Sequence, residues 1–211
     1  MKEYQKIETL YKFDNATHKF KKELYNPIVD YLKDCSWIVS EKIDGTNIRV
    51  HWDGHRVEWS GRTDASQLPK EVEMLLQEKF GESEIIFEQN FGEKEVFLFM
   101  ECYGGKIQGG LYGGKERLIG FDVMINDTYL DKMVIKDIFD KFNVETIEFK
   151  VVSNLQVAID YVMNHAEHSE HCDDKYNEIE GLVCVPAVRL YDNQGKRIIV
   201  KIKKKDLRKL A

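Results

Sequence analysis

The residues best suited to covalent chemistry lie in one short run, Glu41-Lys42-Ile43-Asp44-Gly45-Thr46-Asn47. A lysine amine is a nucleophile only when neutral, and its unperturbed pKa near ~10.4 makes that form scarce at neutral pH. Burial or a cationic neighbour lowers the pKa and frees the lone pair. Lys42 is therefore the candidate nucleophile, and Gly45 lets the backbone beside it turn tightly or approach a ligand. Roughly one chain in forty of this length carries Lys-x-Asp-Gly by chance, so the run takes its meaning from its surroundings.

Four further positions could serve the same chemistry. Glu101 follows the apolar run Val96-Phe97-Leu98-Phe99-Met100 and precedes a glycine-rich segment. Phe121 sits in Ile119-Gly120-Phe121-Asp122, where a ring taken alone would be core. Glu180-Gly181 lies within the apolar stretch 179–185. A carboxylate there costs several kcal/mol unless a cation meets it, which implies a metal or a lysine partner. Lys201 and Lys203, two apart, project from one strand face. Such a pair could hold phosphate, although in isolation it resembles the lysines that guard an edge strand.

The pattern around these residues defines the elements that must position them. Ile48-Arg49-Val50-His51-Trp52 alternates as a strand with one buried face. Residues 47–52 and 55–60 flank Asp53-Gly54, a two-residue hairpin signal. The spacing predicts a helix from Pro69 through Phe80, with Val72, Leu75, Leu76 and Phe80 on one face and Gly81 as its stop. Residues 96–100 suit a strand buried on both faces. Residues 103–115 contain six glycines and read as a mobile loop that carries Lys106, Gln108 and Tyr112. A strand is predicted over 118–125, turning at Asn126-Asp127. Helices follow over 132–142 and 155–165, with a strand over 146–152 between them. A strand over 179–185 ends at Pro186, and a last hairpin pairs 189–191 with 196–202. Residues 1–35 read as a helical or irregular lead-in, with helical spacing over 21–32 that Pro27 starts or kinks. Hairpin-connected strands mixed with helices predict an α+β fold of antiparallel sheets. Neither G-x-G-x-x-G after a strand nor G-x-x-x-x-G-K-[ST] occurs.

Composition narrows the class. The chain of 211 residues is 43% apolar and 11% aromatic, which supports a substantial core and suits one domain. A net charge of −6 excludes a bulk basic nucleic-acid binder. The stretch 201–209 is nonetheless strongly basic, and such a strip can hold phosphates on an otherwise acidic surface. No apolar run approaches the ~18 residues of a membrane span. The N-terminus lacks an apolar leader core, and Cys35, Cys102, Cys172 and Cys184 are scattered, so a reduced, cytoplasmic protein is expected. His165, His168, His171 and Cys172 have a spacing that could place metal ligands on one helix face, but the acidic run around them favours a solvated polar segment.

Together and in this order the motifs resemble those of the covalent nucleotidyltransferase superfamily, the polynucleotide ligases and mRNA capping enzymes. Lys42-Ile43-Asp44-Gly45 matches the nucleophile motif, Phe99-Met100-Glu101 the third motif, and Leu118-Ile119-Gly120-Phe121-Asp122 the aromatic motif after it. Glu180-Gly181-Leu182-Val183 matches E-G-x-V, and Val200-Lys201-Ile202-Lys203 matches K-x-K. The likeness covers about residues 37–205. Within the superfamily the chain is similar to ATP-dependent RNA ligases of the nick-sealing kind. Glu41 before the lysine, Thr46-Asn47 after the glycine and Arg62 after the first hairpin fit that branch. DNA ligases typically carry arginine where Asn47 stands.

The resemblance implies an ATP-grasp-like nucleotidyltransferase domain spanning 1–211, its antiparallel sheets and flanking helices enclosing a nucleotide pocket. The chain ends soon after K-x-K, so no appended C-terminal domain is expected, and a separate protein could take that place. It also implies three steps: Lys42 attacks the α-phosphorus of ATP, AMP passes to an RNA 5′-phosphate, and a 3′-hydroxyl seals the end. Lys201 and Lys203 would hold the α-phosphate, and Glu180, with Glu101, would hold Mg²⁺ or Mn²⁺. Glu41 and Asn47 join the nucleotide-binding set. Phe121 would stack on adenine, Glu101 would contact the ribose, and Arg62 a phosphate or the RNA end. Asp44 is open to two roles, orienting Lys42 or binding metal. The alternatives are a minimal DNA ligase and a non-catalytic module that binds nucleotide or RNA ends.

Overall fold

The structure, a computed structural model, describes residues 1–164, 168–173 and 177–210. In chain order these form β1 (Glu8–Thr9), β2 (Tyr11–Asp14), β3 (Lys19–Leu24), α1 (Pro27–Leu32), β4 (Trp37–Glu41), β5 (Thr46–Trp52) and β6 (Val57–Ser60). There follow α2 (Lys70–Phe80), α3 (Glu84–Phe91), β7 (Val96–Tyr103), a 3₁₀ turn (Ile107–Gly110), β8 (Arg117–Ile125), β9 (Thr128–Tyr129) and α4 (Lys132–Asp140). The chain closes with β10 (Glu145–Thr146), β11 (Phe149–Val152), α5 (Leu155–Asn164), β12 (Gly181–Pro186), β13 (Val200–Lys203) and α6 (Lys204–Leu207). The expected α+β class with antiparallel sheets is observed, the short β1–β13 and β10–β8 pairings being parallel.

The chain divides into two compact units, the first made of Met1–Tyr4 and Asp44–Ile147, the second of Gln5–Ile43 and Glu148–Ala211. The first unit is built on the sheet β10-β8-β7-β5-β6, with β9 beside β8. Its core shows why the alternation reads as it does. Ile48, Val50 and Trp52 of β5 pack with Leu98 and Met100 of β7 and with Val72, Leu76, Phe80, Phe87, Ile135 and Phe139 from α2, α3 and α4. The opposite face carries Asn47, Arg49 and His51, paired across β5–β7 with Glu101, Phe99 and Phe97. At Phe99/Met100 the register with β8 shifts from Asp122 to Gly120, so Phe121 is the extra residue of a β-bulge. Bulges re-aim a side chain and recur beside active sites. Tyr4 and Phe121 pack with the small cluster Phe97, Phe99, Met124 and Tyr129 on this second face.

The second unit is built on the sheet β1-β13-β12-β4-β11. Trp37, Val39, Leu182, Cys184, Val200 and Ile202 bury one set of alternate residues with Leu155, Ala158 and Val162 of α5 and Val29 of α1. On β13, Val200 and Ile202 are buried while Lys201 and Lys203 alternate to the other side.

Several expectations need correction. Residues 1–35 are not a helical lead-in: β2 and β3 form a hairpin with a bulge at Tyr11/Phe13, and only Pro27–Leu32 is helical. Phe13 and Phe20 pack edge-on across that hairpin, a contact that the mixture of aromatic and charged residues conceals. The helix begins where Pro27 follows Asn26, whose Oδ1 accepts from the Ile28 N–H at 2.8 Å. The single strand expected over 146–152 is two: β10 pairs with β8 in the first unit and β11 with β4 in the second. The last hairpin reduces to one bridge, Tyr191 with Arg197, before β13. Helix α3 had no counterpart in the sequence reading.

Candidate active site

The second unit assembles its chemistry by strand order. β12 lies between β13 and β4, with Gly181 opposite Lys203 and Leu182 opposite Glu41. The backbone is tied on both sides: the Lys42 N–H donates to Gly181 O at 2.9 Å, and the Lys204 N–H to Glu180 O at 3.0 Å. Gly181 is required by this close approach, since a Cβ there would lie 1.9 Å from Ile202 O. Three short runs far apart in sequence thus converge on Glu180, which immediately precedes β12.

The Lys42 ammonium meets Glu180 Oε2 at 2.5 Å, and Lys203 is ion-paired to the other carboxylate oxygen. The side chains are 22% exposed for Lys42 and 10% for Glu180, so the pair is shielded from bulk water. Burial raises the Glu180 carboxyl pKa, but the charges of Lys42 and Lys203 outweigh it and the net shift is downward. Lys201 is held below its ordinary value, first by burial and then by the charges of Lys203 and Lys42. Lys203 thus shares Glu180 with Lys42, whose direct neighbour is a carboxylate and not a cation. Glu41 shifts the other way. Burial raises its carboxyl pKa, the Ser169 hydroxyl donating at 2.5 Å opposes this, and the Glu170 charge adds to it. Ser169 carried no signal in the sequence.

The first unit carries Asp44, Asn47, Arg62, Glu101 and Phe121. Gly45 is packed so closely that a Cβ would stand 2.3 Å from Cys102 O. The glycine-rich segment read as a mobile loop instead grips this turn. The Asp44 N–H donates to Tyr112 Oη at 2.9 Å, and Gln108 Nε2 donates to Gly45 O at 3.0 Å. Tyr112 and Ile107 are buried, which anchors the segment and could not be inferred from its glycine content. Asn47 lies opposite Glu101. Its Oδ1 is buried with no hydrogen-bond partner among the described residues, an acceptor left open for a donor. The Phe121 ring is half-buried, with the Tyr4 ring edge-on at 5.1 Å, and Lys132 donates to its carbonyl. Arg62 is exposed in the loop after β6.

No group of three or more His, Cys, Asp or Glu able to hold a metal occurs among the described residues. The carboxylates fit a hard cation that takes most of its oxygens from a ligand's phosphates, not a cage made by protein alone. In the histidine-rich run, His165 lies outside the described residues, and Cys172 Sγ accepts from Asn177 Nδ2 at 2.9 Å. No helix among the described residues is long and apolar enough to cross a membrane.

A protein-family model described as RNA ligase matches residues 36–203, four-fifths of the chain, and the chain belongs to that family. The fold is also similar to solved structures of a Naegleria gruberi RNA ligase. A variant of it with ATP and manganese has a TM-score of 0.62 at 18% identity, covering 94% of this chain and 59% of the other. An apo variant gives 0.63 at 18%, covering 97% and 60%, and the complex with pyrophosphate 0.62 at 17%, covering 96% and 60%. The chain thus spans about three-fifths of the length of these matches. No curated protein matches it significantly.

Proposed function

We propose that the protein is an ATP-dependent RNA ligase of the cytoplasm that works through a lysyl-AMP intermediate. The observation that carries this reading is the Lys42–Glu180–Lys203 cluster, with Lys201 beside it. It holds more positive than negative charge at the one lysine whose surroundings match a nucleophile motif. Membership of the RNA ligase family supports the reaction class.

Lys201 and Lys203 receive the α-phosphate. The neutral Lys42 Nζ bonds to the α-phosphorus as the bond to pyrophosphate breaks, and the proton it then sheds passes to solvent. Such transfer rests on in-line placement and charge neutralisation. Phosphate oxygens arriving at the cluster compete with Glu180 for Lys42 and Lys203 and break the ion pair, after which the Lys42 ammonium loses a proton to solvent. Glu180 and Glu101 would help hold a divalent cation, Mg²⁺ or Mn²⁺, which would supply charge neutralisation at the ATP phosphates. Phe121 stacks on adenine, Asn47 and Glu101 bind the nucleoside, and Glu41 supports the strand end that presents Lys42. Arg62 meets the RNA 5′-phosphate, and Asp44 orients Lys42 or binds metal. AMP then moves to the RNA 5′-phosphate, and a 3′-hydroxyl displaces it to join the ends.

The test is incubation with α-labelled ATP and Mg²⁺ or Mn²⁺, then sealing of nicked RNA and nicked DNA duplexes in parallel. Label should remain on the protein and RNA should seal. Label on a Lys42→Ala variant would remove Lys42 from its role, and faster sealing of DNA would replace RNA as the substrate. Adduct formation without any sealing would point to a protein partner in the later steps.

A further inference from the structure

Arg49 is a strand residue whose place in the alternation assigns it to the face away from the helical core. It is nevertheless fully buried. A guanidinium has five N–H donors and no acceptor, and each of the five has a partner here. Nε donates to Gly61 O at 2.7 Å. Nη1 donates to the carbonyls of Met1 and Lys2 at 3.1 and 2.9 Å. Nη2 donates to Ser60 Oγ at 3.3 Å and to Asp64 Oδ1 at 2.8 Å. The acceptors come from the extended N-terminal segment and from the loop 60–64.

That loop is the one that carries Arg62. Arg49 holds it on either side of Arg62, at Ser60 and Gly61 and again at Asp64. The loop braces itself further: Ser60 Oγ donates to Thr63 O at 2.9 Å, the Thr63 N–H to Ser66 Oγ at 3.0 Å, and the Ser66 N–H to Thr63 O at 3.0 Å. The Arg62 side chain is left exposed on a fixed backbone. We propose that Arg49 is a positioning residue for ligation: it locks the 60–64 loop so that Arg62 is presented to the RNA terminal phosphate in one geometry. This rests on the ligase reading for its consequence, but not for the locking itself. Lysine cannot replace the fork, because a single ammonium offers fewer donors from one point.

Two measurements test it on the full chain. Hydrogen exchange in Arg49→Lys should accelerate at the amides of Thr63 and Ser66 while α2, α3 and the second unit stay protected. Unchanged exchange at those amides overturns the proposal, whatever the catalytic results. Kinetically, lysyl-AMP formation, transfer to 5′-phosphate RNA and sealing of pre-adenylylated nicked RNA are timed separately. The variants are Arg49→Lys, Arg62→Ala and the double variant. Arg49→Lys should slow the same steps as Arg62→Ala, roughly tenfold to a hundredfold, as expected for a misplaced reacting group. It should add nothing once Arg62 is gone. Full additivity, or an equal loss in every step that tracks the folded fraction, means Arg49 is only structural. If Arg49→Lys fails to fold, Ser60→Ala loosens the same loop with the cation retained and is read in the same way. Absence of adduct and sealing in the parent protein sinks the ligase reading instead, and the exchange result still decides the locking.

Discussion

Each unit buries positive charge, and the two balance it differently. In the first, Arg49 meets five acceptors with five donors and nothing is left over. In the second, Lys42 and Lys203 share the single carboxylate of Glu180, and the Lys201 ammonium beside them has no ion pair or side-chain hydrogen bond among the described residues. A saturated guanidinium is architecture: it has no capacity to bind anything else, and removing it leaves several polar groups unpaired. A lysine cluster with surplus charge is suited to take up an anion, because a phosphate would supply what Glu180 alone cannot. The contrast separates residues that hold the backbone from residues that await a substrate, although both are basic groups on strands.

The largest expected effect breaks the receptor half. Lys42→Ala should reduce label from α-labelled ATP to background, since the amine proposed to carry the AMP is removed. Gel autoradiography after denaturation decides it. Next, Lys203→Ala and Lys201→Ala should each slow adduct formation on the order of 10²–10³-fold, the usual cost of deleting one preorganised electrostatic partner of the transition state. A normal single-turnover rate in either variant would mean that the cluster is held together for stability alone.

The same contrast explains what could be read from sequence. The receptor half was legible because its parts are short motifs: Lys42 before Asp-Gly, Glu180 before Gly181, and Lys201 and Lys203 two apart. Glu180 announced its need for a cation by sitting beside apolar strand residues. Arg49 gave no such signal. Period-two alternation correctly sent Ile48, Val50 and Trp52 to the core and left Arg49 on the opposite face, but the segment Met1–Tyr4 covers that face. That covering is a contact between positions more than forty apart, with no local signature. The β2–β3 hairpin is local but was missed because its strands mix aromatic and charged residues without clean alternation, and nothing in 146–152 marks where the chain passes from one sheet to the other. The anchored glycine-rich segment shows the converse error: glycine content predicts freedom, whereas Ile107 and Tyr112 decide the outcome by burial.

Acid should sharpen the comparison with a smaller effect. The Glu180 carboxyl has a lowered pKa, the charges of Lys42 and Lys203 overcoming the opposing effect of burial. Its ionised form therefore contributes stability that is complete above the unfolded carboxylate value and is lost as pH falls through the lower folded value. Glu180→Gln should melt earlier than the parent near neutrality, and the gap should close as the pH is taken down through that window. A gap independent of pH would mean that the two lysines do not stabilise the charged form.

The smallest effect has the opposite sign and comes from the neighbouring carboxylate. Glu41 is raised, chiefly by burial, with the Ser169 hydrogen bond opposing and the Glu170 charge assisting. Above its folded pKa the ionised Glu41 therefore costs stability, and the cost is relieved as pH falls through that raised value towards the unfolded one. Glu41→Gln keeps an oxygen able to accept from Ser169 Oγ and removes the charge. Its melting midpoint should lie slightly above the parent's at neutral pH and converge with it in acid, while adduct formation slows. A buried carboxylate placed one residue before the proposed nucleophile is expected where a site trades stability for chemistry. If the variant is instead less stable at neutral pH, the Ser169 hydrogen bond outweighs burial, and Glu41 belongs with Arg49 among the groups that hold the frame.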